Sequence, residues 1–139
     1  MSAHIDNVPK WVRIAVGVLG IFNIIYGVMC YFDMSLLYHA ATGVDMTNTF
    51  IKSAAYEFAS RNLAIGIALC FVTIIKGAPE ALVILTIVRA LIEVQTIIQS
   101  IAQGNITAML LMPIAFLILE IFIIKTLIGV IKKEEAEEN

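Results

Sequence analysis

Between Ala81 and Gln103 an otherwise apolar segment carries Thr86, Arg89, Glu93, Thr96, Ser100 and Gln103. On a helix turning about 100° per residue, these side chains fall within a sector of roughly 100°, so one face of the segment is polar. Two of them, Arg89 and Glu93, ionise. A guanidinium and a carboxylate so placed can hold ion pairs, meet the polar head of a lipophilic molecule, or handle a proton. In hydrocarbon each charge costs about 2.5–3.5 kcal/mol on insertion scales, so both are expected to face a bundle interior and find partners there. Elsewhere in the chain the candidates are Asn23 and Tyr26, then Glu57, Arg61 and Asn62, and finally Glu120.

The elements that must position these groups follow from composition. Of 139 residues 60% are hydrophobic and only 14% are charged, and the mean hydropathy is +0.95. Ordinary soluble domains are about 45–50% apolar, so this composition is that of a membrane protein. No linker rich in Ser, Gly or Pro divides the chain, which predicts one domain. Four apolar runs, over approximately 11–33, 54–76, 80–103 and 106–131, are each long enough to span a bilayer core at ~1.5 Å per residue. The expected fold is an all-α, four-transmembrane-helix, up-down bundle, followed by a charged tail over 132–139.

Local signals place the boundaries. Asn7 and Pro9 sit where a helix cap and a first-turn proline belong, and Trp11 with Lys10 and Arg13 marks a water–lipid boundary. The first run is too long for the ~7–15 apolar residues of a cleaved signal peptide. Asp33 to Ser53 mixes Leu36, Leu37, Tyr38, Phe50 and Ile51 with turn formers, which predicts a short interfacial segment after the first span. Gly77, Ala78 and Pro79 form the second turn, and Gly104 with Asn105 the third. Gly17, Gly20 and Gly27 suggest close helix contact.

Basic residues set orientation. With four spans, Lys10, Arg13, Lys76, Lys132 and Lys133 share one side, which the positive-inside rule makes cytoplasmic, together with both termini. Taking span midpoints near Phe22, Ile65, Leu91 and Leu117, Arg89 lies ~3 Å and Glu120 ~4.5 Å to the cytoplasmic side of the midplane. Arg61 and Tyr26 lie ~6 Å and Glu93 ~3 Å to the outer side, with Asn23 near the midplane. The matching depths predict an Arg89–Glu120 pair and an Arg61–Glu93 pair, with Asn23 and Tyr26 as neutral hydrogen-bond partners. Glu57 can also reach Arg61 at four-residue spacing. Glu120 is the leading working residue, since no charge lies within four positions of it.

Other chemistries find little footing. The net charge of −2 comes largely from Glu134, Glu135, Glu137 and Glu138, and no basic surface exists to bind nucleic acid. Cys30 and Cys70 are ~12 Å outward and ~7.5 Å inward of the midplane by helical rise, too far apart for a disulfide, and no CxxC is present. His4 and His39 are isolated, so no metal site is expected. Neither a nucleophile elbow, a P-loop nor a dinucleotide fingerprint occurs. No cofactor is expected, and an enzymatic role is disfavoured.

The segments WVRIAVGVLGIFNIIYG, ASRNLAIGIALCF, IVRALIEVQTIIQSIAQGN and FLILEIF occur in that order. In this the chain resembles the small bacterial four-helix membrane proteins of the DoxX-like group and neighbouring families. The resemblance implies a four-helix bundle and singles out Arg61, Gly66, Arg89, Ser100, Gly104 and Glu120. Some DoxX-like proteins are linked to quinone-dependent redox complexes or act as accessory subunits; this chain lacks a redox cysteine pair.

Three function classes remain. The favoured one is a polar, ion-paired core that binds a lipophilic small molecule or lipid, with an arginine at its head and Glu93 or Glu120 handling a proton. The second is a proton- or cation-coupled small transporter acting as a dimer. The third is an accessory subunit of a larger membrane complex. Expected partners are membrane lipids, a lipophilic ligand, and further copies or a membrane complex.

Overall fold

The computed structural model describes residues 5–32, 47–74, 78–102, 104 and 110–138. It is an all-α four-helix bundle: α1 (Lys10–Phe32), α2 (Thr49–Ile74), α3 (Pro79–Ala102) and α4 (Leu111–Glu138), preceded by a single 3₁₀ turn, Ile5–Asn7. Each helix is long and apolar enough to cross a membrane. Their outer surfaces carry Ile14, Ile21, Ile25, Phe71, Ile84, Leu91, Ile98 and Phe122, all more than half exposed. Apolar surface on this scale is what a helix bundle turns toward lipid, since hydrocarbon tolerates it and water does not.

Helix boundaries follow local chemistry. The Pro9 carbonyl accepts from Val12 and Arg13, so proline opens α1 as expected. Asn7 does not cap it: the Asn7 side-chain amide donates instead to the Glu134 carboxylate on α4. That contact brings the N-terminal turn beside the end of the last helix, as an even number of crossings requires. The Ala78 carbonyl accepts from Ala81 and Leu82, with Pro79 as the first residue of α3. At the end of α3, Gly104 takes a positive φ of 69° and donates to the Ile101 carbonyl, the left-handed closure that glycine permits.

Two boundaries differ from expectation. α2 starts at Thr49, five residues before the apolar run, because Asn48 caps it: the Asn48 side chain accepts from the Phe50 amide and its carbonyl from Lys52. The described part of α4 starts at Leu111, which leaves Pro113 in the first turn, where its missing N–H costs nothing, and the expected start at Ile106 lies outside the described residues. α4 runs on to Glu138, so the acidic tail is helical. The expected interfacial segment, for residues 33–46, and the Gly77 turn lie outside the described residues.

The helices pair as neighbours in sequence. α1 and α2 touch backbone to backbone: a β-carbon on Gly20 would stand 3.1 Å from the Gly66 carbonyl oxygen, and one on Gly27 2.9 Å from that of Ala59. Small residues permit such approach in membranes. Gly17 makes only ordinary contact, with Thr73. The apolar core gathers Val8, Val12, Val16 and Leu19 with Leu69, Leu82, Ile123 and Leu127, so every helix contributes. It fills the half of the bundle near the termini and leaves the middle to polar groups. Cys30 and Cys70 form no disulfide.

Candidate functional site

Thr86, Arg89 and Ala90 lie on the buried face of α3, and Glu120 is buried on α4. The Arg89 guanidinium forms an ion pair with Glu120 through Nη1. Through Nη2 it reaches the Glu93 carboxylate at 3.1 Å, one turn along its own helix. The Arg89 and Glu120 side chains are 4% and 0% exposed, and that of Glu93 15%. The expected Arg89–Glu120 pair is therefore present, at the core of the bundle.

One cation serves two carboxylates. With all three groups ionised the cluster carries an excess negative charge, and one bound proton makes it neutral. Glu120 Oε1 faces the guanidinium, while Glu120 Oε2 and Arg89 Nε are buried without a hydrogen-bond partner among the described residues. Burying an ion without a partner costs several kcal/mol, so the Arg89 contact is what makes a carboxylate at this depth tolerable.

Aromatic rings wall the cluster. The Arg89 guanidinium carbon lies 4.9 Å from the centroid of Phe116, one turn before Glu120 on α4. Phe116 meets Phe22 of α1 at 5.2 Å, Phe22 stacks with Tyr26 at 6.3 Å, and Tyr26 meets Phe58 of α2 edge-on at 6.0 Å. Rings thus run from α4 through α1 to α2, and the Phe116 end of the row gives the guanidinium an apolar neighbour.

The expected Arg61–Glu93 pair does not form. Arg61 bonds Glu57 on its own helix at 3.3 Å, and the two side chains are 73% and 71% exposed. The reason is helical phase. Ala55, Ala59, Gly66 and Leu69 define the face that α2 buries, and Arg61 points away from it. Glu93 takes Arg89 instead, at the four-residue spacing that favours such pairs.

The neutral residues also depart from expectation. Asn23 is buried, but its amide donates to the Leu19 carbonyl of its own helix at 2.7 Å. Asn62 donates to Phe58 at 3.0 Å, and the Thr86 hydroxyl to Leu82 at 2.7 Å. A side chain four residues from a carbonyl finds it without crossing the bundle, and these polar groups are satisfied locally.

The polar face of α3 changes surroundings along its length: Thr86 and Arg89 are buried, Glu93 is partly covered, Thr96 is exposed and Ser100 half-buried. Gln103 lies outside the described residues. The stripe therefore leads from the closed cluster outward along α3. Sequence reasoning missed the aromatic wall and the Arg89–Glu93 pair; the second had a signal in its spacing, the first had none beyond aromatic content. Against known proteins, no family model, no curated protein and no solved structure matches this chain.

Proposed function

We propose that this chain is a multi-pass protein of the cytoplasmic membrane that takes up and releases a proton, or a cationic group in its place, at the Arg89–Glu93–Glu120 cluster. The observation that carries this reading is one guanidinium shared by two carboxylates, with Glu120 wholly buried. Arg89 is already compensated, so the cluster is poorly matched to an anionic head and well matched to a positive one. A lipophilic ligand of this core would accordingly bring a cationic or hydrogen-bond-donating head, with its apolar body against Phe22, Phe58 and Phe116. The progressively less covered continuation of the α3 stripe, from partly covered Glu93 to exposed Thr96 and half-buried Ser100, supports access from the end of the bundle opposite the termini. Both termini are assigned to the cytoplasm from the distribution of lysine and arginine. Kinship with the DoxX-like group is part of the same proposal and rests on the short segments quoted above.

The test is reconstitution in liposomes holding a pH-sensitive dye, with an imposed proton gradient and, separately, with lipophilic amines outside. Flux or amine uptake that falls to background in Glu120→Gln supports the reading. Flux in the native chain that is unchanged by Glu120→Gln, or no flux and no amine binding at all, rejects it.

A further inference from the structure

The Glu57–Arg61 pair stands on the open side of α2. Relative to the buried face, Ser53, Glu57, Ser60, Arg61, Ala64 and Phe71 lie roughly opposite at about 100° per residue, and all six are exposed. From Arg61 to Ile74 the helix rises only about 20 Å, and from Glu57 about 26 Å, against a hydrocarbon core of about 30 Å. A bilayer that covers the apolar half of α2 therefore also covers this pair. Charges at such depth normally face protein, not acyl chains.

We infer that this face of α2 is the contact between two copies of the chain, related by a two-fold axis along the membrane normal. The face is complementary to itself. Such an axis sets α2 beside its equivalent in the same direction and at the same depth, with each Glu57 one turn from the Arg61 of the other copy. The two internal pairs then merge into a ring of alternating charges, and each carboxylate gains a second cation. Ala64, one turn beyond Arg61, leaves room for the backbones to approach. A different partner would have to supply its own acid and base at this same depth; a second copy has them already.

Disulfide trapping in native membranes tests this. In a chain carrying Cys30→Ala and Cys70→Ala, Ala64→Cys is expected to crosslink to itself under mild oxidation, and Phe122→Cys, on the exposed side of α4, is not. Added singly, Glu57→Arg and Arg61→Glu set like charges against each other and lower trapping at least about tenfold. Coexpressing the two under different tags restores trapping as a mixed dimer. Where a single charge variant does not accumulate in the membrane, Glu57→Gln with Arg61→Gln takes its place, again with loss of trapping. The inference is overturned if Ala64→Cys gives no dimer, if trapping ignores the charges at both positions, or if the cysteine joins a different protein instead.

Discussion

Gly66 of α2 and Gly20 of α1 meet without any side chain between them. A β-carbon on Gly66 would stand 2.7 Å from the Gly20 carbonyl oxygen and 2.8 Å from the Ile24 amide nitrogen. Both are backbone atoms, which yield only if a helix moves. Gly66→Ala is therefore expected to destabilise the bundle by about 1–3 kcal/mol. Gly129→Ala on α4, where nothing lies within 4 Å, should change stability by less than about 1 kcal/mol, in the stabilising direction. Reversible unfolding in lipid–detergent mixtures, followed by Trp11 fluorescence, compares the two.

Arg89 is the hinge of the buried electrostatics. Arg89→Met leaves Glu93 and Glu120 uncompensated and should cost about 3–5 kcal/mol. Arg89→Met with Glu120→Gln removes one of the stranded charges, so the pair should cost less than the sum of its members. The same unfolding measurement closes this double-mutant cycle; strict additivity would mean that the two groups do not interact.

Phe116 holds the guanidinium on its ring face. Phe116→Leu keeps most of the apolar volume but removes the π-system, with an expected loss of about 1–2 kcal/mol at this desolvated site. Phe116→Tyr keeps the ring and should lie nearer the native value. Equal losses in the two variants would assign the position to volume alone.

The tie between Asn7 and Glu134 is exposed, so Asn7→Ala should cost less than about 1 kcal/mol globally. Its effect is local: amide exchange at Val12 and Arg13, which open α1, should quicken while that at Leu82 stays unchanged. Hydrogen exchange with residue-level readout distinguishes the two sites.

The fold was legible because hydropathy and helix punctuation act locally. Pro9, Pro79 and Gly104 each mark a helix end where a missing N–H or a positive φ is needed, and the structure uses all three. Depth along the membrane was also legible, since helical rise is constant, and it paired Arg89 with Glu120. Rotation about each axis was not. Arg61 and Glu93 have compatible depths, yet the face of α2 that packs is chosen by Ala59 and Gly66, and this turns Arg61 outward. Asn23 departs from expectation for a related reason: the Leu19 carbonyl four residues back lies within reach without crossing to a neighbouring helix. The aromatic wall depends on interhelical geometry at both ends of every contact, which no single segment encodes.

The glycine contact between α1 and α2 also bears on how the chain assembles. Among the described residues its two most extensive interfaces join consecutive segments, one by interlocked backbone and the other by α3–α4 packing around Arg89 and Glu120. Each half can therefore settle as a hairpin soon after it enters the bilayer, before the other is made. What remains is to dock two finished hairpins along a seam of rings and aliphatic side chains, and that seam is where the molecule can give without unravelling either half.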